Sequence, residues 1–238
     1  MDLKALAAQA AFRHVQNGMT IGLGTGSTTR YFVDLVGQAW QAGTLRDIVG
    51  IPTSTATANQ AAAWGIPLTE LADCKGLDLA VDGADQVDPQ GNLIKGLGYA
   101  LLREKIVESQ ARYFVVIVDE SKLTQRLGDR CALPVEITPF AATVTLCRLA
   151  SLCDRAELWT QHDDKPIVTD NGNYLVRCWW RDGIHKPSQL AQYICNIVGV
   201  VEHGLFINMA HKVIVARPSG ISEMEFSVAQ EQPNHDNA

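Results

Sequence analysis

One junction near the start of the chain limits the folds open to it. Met19 to Leu23 is a short apolar run that leads into Gly22-Leu-Gly24-Thr25-Gly26-Ser27-Thr28, and helical periodicity follows to about Trp40. A strand, a glycine-rich turn and a helix in that order make the opening of a βαβ unit. Upstream, Leu3, Leu6, Ala7, Ala10 and His14 fall at helical spacing behind Asp2, a candidate N-cap, and Asn17-Gly18 ends that helix. Downstream the alternation repeats. A strand is predicted at Ile48–Ile51, an Ala-rich helix at Ser54–Trp64 and strands at Ile66–Leu68 and Leu77–Val81. A turn follows at Pro89-Gln90-Gly91-Asn92, then a helix from about Gly98 to Ser109 and a strand at Tyr113–Val118. Continuous apolar strands between helices indicate a parallel sheet covered on both faces. The first half is therefore expected to be α/β, a Rossmann-like doubly wound sheet.

After Asp129 the pattern changes. Strands are expected at Leu133–Ile137, Ala156–Thr160 and Pro166–Trp180, the last folded around Thr169-Asp170-Asn171-Gly172-Asn173. Helices are expected at Phe140–Leu152 and Pro187–Val198, with a further strand at Val200–Ile207. The order β-α-β-β-α-β points to a smaller inserted α+β domain of ferredoxin-like type. Lys212–Ala216 is one more strand, expected to return to the first sheet. The domain reading is 1–130 completed by 206–228, an insertion at 131–205, and a frayed polar tail at 229–238.

Charge excludes one class of partner. Twenty Lys+Arg against 26 Asp+Glu leave a formal charge of −6, too acidic a surface to track a nucleic-acid backbone. The longest apolar stretch, Tyr113–Val118, is far short of the ~20 residues that span a bilayer. Met-Asp-Leu-Lys is unlike a signal peptide, so a cytoplasmic location is expected. The six cysteines are scattered without a C-x-x-C pair and the histidines lack ligand spacing. They are read as reduced, buried small hydrophobes, and no structural metal is expected.

Two constellations carry chemistry. Thr25, Gly26, Ser27 and Thr28 lie where a strand meets a helix N-terminus, which aims backbone N–H groups and a positive dipole end at an anion. Ser27 stands where a dinucleotide fingerprint has glycine, the second strand ends in Pro52-Thr53-Ser54 without an acid, and Gly-Lys-Ser/Thr is missing. A small phosphate or carboxylate is therefore favoured over NAD or ATP, and a plain capped turn is the alternative. The second set is Asp82-Gly83-Ala84-Asp85 after a strand, Lys95-Gly96-Leu97-Gly98 before a helix, and Glu104 on that helix. Each has a bland reading, an Asx turn or a surface acid. Together they suit proton abstraction beside a carbonyl, with a carboxylate base and a lysine on the developing oxyanion. No Gly-x-Ser-x-Gly elbow competes.

Gly24–Thr28, Val81–Asp85, Lys95-Gly96, Leu101-Leu-Arg-Glu-Lys105, Ser121-Lys122, Leu133–Ile137, Thr169–Asn173 and Gly199–Phe206, in this order, resemble ribose-5-phosphate isomerase type A. The resemblance implies a cofactor-free aldose–ketose isomerase of the pentose phosphate pathway, interconverting D-ribose 5-phosphate and D-ribulose 5-phosphate as a homodimer or homotetramer. It makes Glu104 the acceptor that carries a proton between C2 and C1. Asp82 would assist ring opening, Asp85 would hold or relay hydroxyl protons and Lys95 would stabilise the oxyanion. Substrate contacts would come from Thr25, Gly26, Ser27, Thr28, Asp82, Gly83, Ala84, Asp85, Lys95, Gly96, Leu97, Gly98 and Lys122. The sequence departs from the family at Leu97, where glycine is usual, at Gln86, where an acid is usual, and around Trp179–His185, read as an exposed or interface feature. Two alternatives are a sugar-phosphate sensor, which would normally carry a helix-turn-helix for which there is no room before Met19, and a related sugar-phosphate isomerase, deaminase or lactonase.

Overall fold

The computed structural model describes residues 2–74 and 76–228, so the tail at 229–238 lies outside the described residues. Helix α1 (Leu3–Phe12) begins where the Asp2 side chain accepts from Lys4 N–H at 2.9 Å. The chain then runs β1 (Thr20–Leu23), α2 (Thr29–Gln41), β2 (Val49–Pro52), α3 (Thr55–Ala63) and β3 (Leu77–Asp82). A short hairpin, β4 (Gln86–Val87) and β5 (Leu93–Ile94), precedes α4 (Leu101–Ser109) and β6 (Ala111–Asp119). The second half supplies β7 (Leu133–Ile137), α5 (Ala142–Ala150), β8 (Arg155–Leu158), β9 (Tyr174–Trp179), α6 (Pro187–Cys195) and β10 (Val200–His203). The chain closes with β11 (Leu205–Phe206), β12 (Lys212–Arg217) and β13 (Gly220–Glu225).

The main sheet has the order β13-β12-β6-β3-β1-β2, parallel except for β13 at its edge. Both faces are covered, as the apolar runs imply. Val115 and Ile117 of β6 pack with Ala7, Phe32 and Val36 of α1 and α2. Phe114, Val116 and Val118 pack on the opposite face with Val107 of α4 and Phe206. Full burial of such side chains contributes about 1.5–3 kcal/mol each. Strand order runs one way from β1 to β2 and the other way from β3 to β6. This reversal between β1 and β3 opens a crevice at the C-terminal edge of the sheet.

The second sheet is antiparallel, β10-β7-β9-β8, the order of a ferredoxin-like β-α-β-β-α-β unit. A third sheet, β11-β5-β4, joins the two. The expected strand at Val200–Ile207 is in fact two, broken at Gly204. A Cβ there would collide with the Lys95 carbonyl oxygen. Gly204 N–H donates to Pro134 at 2.8 Å while its carbonyl accepts from Lys95 N–H at 2.9 Å. The glycine thus ties the second sheet to the turn that carries Lys95.

Other expectations are corrected. Ile66–Leu68 makes a single bridge, Gly50 to Leu68, rather than a strand. Residues 166–168 form only isolated bridges, because Pro166 has no N–H to donate and Val168 is exposed. Strand β13 was not anticipated. All six cysteines are free, but Cys147 and Cys195 are exposed and only Cys178 is fully buried. Trp180 is half-buried, its Nε1 donating to Leu152 O at 2.9 Å. Among the described residues no helix is long and apolar enough to cross a membrane.

Gly204→Ala is expected to lower unfolding stability by about 1–3 kcal/mol, the usual range for overpacking, and to reduce turnover by displacing Lys95. Urea unfolding and steady-state kinetics on the same preparation check it.

Candidate active site

The crevice between β1 and β3 is a cleft of about 260 Å³ lined by Thr25–Thr29, Gly83–Asp85, Lys95–Gly98, Glu104 and Lys122. Nearly every residue singled out in the sequence is therefore at one place. Asp82 lies just beneath it, and its carboxylate is the hub of the floor. Oδ1 accepts from the N–H groups of Thr25 at 3.0 Å and Gly83 at 2.6 Å, and from Thr29 Oγ1 at 3.0 Å. Gly24 is required here because a Cβ would run into the Asp82 side chain. No side chain caps α2, whose N-terminus follows Gly26, Ser27 and Thr28 in the cleft wall. That arrangement presents a positive dipole end to an anion.

Lys95 is 2% exposed, and its ammonium is held from several sides. Nζ donates to Gly83 O at 2.7 Å and lies 2.9 Å from Asp82 Oδ2, 3.3 Å from Glu108 Oε1 and 3.6 Å from Glu104 Oε2. The Phe206 ring sits 5.4 Å away. Burial opposes the positive charge, but Asp82, Glu104 and Glu108 outweigh it and hold the ammonium well above the ordinary lysine range. Burial pushes the Glu104 carboxyl up to about 8, although Lys95 pulls it the other way. Asp85 is raised by burial too, offset by the Leu97 N–H that its Oδ2 accepts at 2.9 Å. Leu97 therefore contributes its backbone to the turn despite replacing a glycine. A strong, shielded carboxylate base beside a fixed ammonium can take a carbon-bound proton next to a carbonyl.

The ribose 5-phosphate isomerase A (phosphoriboisomerase A) family model matches residues 49–220. The chain belongs to the ribose 5-phosphate isomerase A family. It is 47% identical over 219 residues to ribose-5-phosphate isomerase A of Roseiflexus castenholzii, covering 92% of this chain and 93% of that one. It is 45% identical over 229 residues to the probable ribose-5-phosphate isomerase 3, chloroplastic, of Arabidopsis thaliana, covering 94% and 83%. Among solved structures, a D-ribose-5-phosphate isomerase in complex with phospho-erythronic acid superposes with a TM-score of 0.90 at 39% identity, covering 94% of this chain and all of that one.

In and around this isomerase-family cleft the sequence did not point to three residues. Thr29 lies one position beyond the expected loop, yet its hydroxyl binds Asp82. Lys4, at the start of α1, donates from Nζ to Ser27 Oγ at 2.9 Å. Glu108 is 3% exposed, one helical turn after Glu104 on the same face of α4. Its signal was the i, i+4 spacing of two glutamates on a stripe that also carries Leu101. The Thr25 hydroxyl, by contrast, is spent on Thr53, Ser54 and Thr57 at 2.7, 2.8 and 3.1 Å, bracing the start of α3. Cys195, Glu202 and His203 bring potential metal-ligand atoms within 4.8 Å of one another. Lys105 already serves that group as its cation, with Nζ 2.7 Å from Glu202 Oε1 and 2.6 Å from His203 O.

The raised Glu104 carboxyl binds its proton more tightly folded than unfolded, so the native state holds more protons between pH 4.5 and about 8. Stability must then fall as pH rises through that window. Glu104→Gln, which cannot ionise, is expected to make the fall shallower. Denaturant midpoints measured across the window in both proteins check this.

Proposed function

We propose that this chain interconverts D-ribose 5-phosphate and D-ribulose 5-phosphate, a step of the pentose phosphate pathway, through an enediolate with Glu104 as general base. One observation carries the reading: a carboxylate 2% exposed faces the cleft with Lys95 Nζ 3.6 Å away. The glutamate takes the proton from C2 of the open-chain aldose as the C1 carbonyl oxygen gains negative charge. Lys95 and cleft N–H groups stabilise that oxygen. The glutamate then delivers a proton to C1, exchanging with solvent in a fraction of turnovers, while the O2 proton passes to O1 through Asp85. Asp82 assists ring opening. Because the proton moves between two carbons of one molecule, no redox cofactor is called for.

The phosphate is assigned to Gly26, Ser27 and Thr28 with Lys122 and Lys4. Backbone N–H groups at a helix start and two lysines suit a dianion. The solved relative's ligand, phospho-erythronic acid, is a phosphorylated sugar acid whose carboxylate would occupy the end of such a cleft where an enediolate gathers charge. Cytoplasm is the location proposed here, although one relative is named as chloroplastic.

Glu104→Gln is expected to lower kcat by about 10²–10⁴, the usual contribution of a positioned base, with KM changed little. Exchange of the C2 hydrogen of ribose 5-phosphate with deuterated water, followed by NMR, should vanish in the same variant. Near-normal exchange would remove Glu104 from the role.

We also propose that residues 131–205 form an inserted unit that mediates a homodimer or homotetramer. Phe140 is 89% and Val198 82% exposed, with Val144 and Tyr193 also outside, all on segments around α5 and α6. Exposed apolar groups gathered on one unit mark an association surface. Sedimentation should show a dimer or larger that Phe140→Glu with Val198→Glu weakens; a wild-type monomer would overturn the proposal.

A further inference from the structure

Glu108 does not line the cleft, yet it belongs to the same buried group. It lies behind Lys95, 3.3 Å from Nζ, and shares that ammonium with Asp82, whose Oδ2 is 2.9 Å from it. Taken as carboxylates, Asp82 Oδ2 and both oxygens of Glu108 are buried with no donor in hydrogen-bond geometry, Lys95 meeting Asp82 Oδ2 and Glu108 Oε1 as an ion pair. Two carboxylates cannot share a hydrogen bond unless one of them carries the proton. Charge leads to the same place. With Asp82, Glu104 and Glu108 all ionised around Lys95, a buried pocket would hold a net −2, a total that is unchanged when Glu104 takes a proton and leaves an anionic enediolate. Uncompensated charge in such surroundings is among the most costly arrangements a protein can hold.

We propose that Glu108 is a positioning residue that stays a protonated carboxylic acid through the reaction, donating its hydrogen bond to Asp82. One proton then gives Asp82 Oδ2 a donor and one Glu108 oxygen an acceptor, fixes Asp82 against Lys95, and leaves Glu104 as the carboxylate free to exchange a proton with substrate. Asp82 accepts from Thr25, Thr29 and Gly83 on its other oxygen, so its orientation is determined from both sides.

The surroundings of Glu108 support a neutral acid. From β3 it meets Asp82, from the lysine turn Lys95, and from its own helix Glu104, with Lys105 on the following flank. Lys105 is drawn off to Glu202 and His203 of β10. The packing of β6 and β11 against α4 is apolar, through Phe114, Val116 and Phe206. On β7, Glu136 turns to Thr169, Asn171 and Asn173 instead. Among the described residues no second cation is therefore in place for Glu108, and burial raises its carboxyl well above the ordinary glutamate range.

The proposal rests on Glu104 as base only for its kinetic consequences; the protonation state is read separately. Infrared spectra of the wild-type protein well above pH 8, past the Glu104 transition, should contain the C=O band of a buried carboxylic acid. The band should persist in Glu104→Gln and disappear in Glu108→Gln. Its absence from the wild type, or its persistence in Glu108→Gln, overturns the proposal whatever the role of Glu104. In kinetics, Glu108→Leu removes the donor to Asp82, which then draws harder on Lys95; Glu104 loses part of its cation, and the acid limb of kcat against pH that it sets should move up by about half a unit or more. Glu108→Gln keeps an N–H for Asp82 and should restore the limb. A downward shift in Glu108→Gln would mean that a negative charge had been removed and would also overturn the assignment. An unmoved limb in a folded Glu108→Leu would reduce Glu108 to packing.

Discussion

The structure is arranged around one buried ammonium. Lys95 sits at the C-terminal edge of the main sheet with almost no access to water, and every segment near it supplies something that makes this tolerable. β3 ends in Asp82 and the Gly83 carbonyl, α4 brings Glu104 and Glu108, and Phe206 closes one side with its ring. Removing one partner of a buried pair typically costs about 3–5 kcal/mol, whereas an exposed pair is worth little. The lysine is thus a constraint on where four separate segments must meet, its own turn, β3, α4 and β11, and that meeting point is the candidate site.

The same constraint divides the cleft by chemistry. The end that starts at Gly26 is built from backbone N–H groups, hydroxyls and half-exposed lysines, suited to a phosphate that remains hydrated in part. The end at Lys95 and Glu104 is buried, which raises the basicity of the carboxylate and strengthens electrostatic contacts there. A formal charge of −6 on the whole chain does not contradict an anionic substrate, since local donors of this kind can bind an anion whatever the global charge. Long-range attraction contributes little to capture.

Much of this was legible beforehand, and the reasons differ by element. β1, β3, β6 and β12 are buried on both faces and so read as unbroken apolar runs. The ferredoxin-like order was visible because each strand was separated by a helix or by Asn171-Gly172. The failures were pairings rather than propensities. Ile66–Leu68 has strand-like residues but meets a partner only at Leu68. Val200–Ile207 looks continuous, yet Gly204 passes so close to Lys95 that the chain changes sheets there. Cys147 and Cys195 look like small core residues and are exposed because α5 and α6 turn them outward.

For the site, the residue types and their order along the chain were enough to identify a glycine-rich anion turn, two aspartates, a lysine and a glutamate, and to connect them with a family of sugar-phosphate isomerases. Local chemistry decides those features: only glycine permits the approach of Gly24 to Asp82, and only a strand followed by a helix presents an N-terminus to a ligand. What tertiary structure alone decided is which groups share one environment. Glu108 and Lys4 read as surface residues until α4 folds onto β6 and α1 folds beside Ser27. The protonation of a carboxyl follows from the water removed and the charges brought near, and both are set by segments distant in sequence.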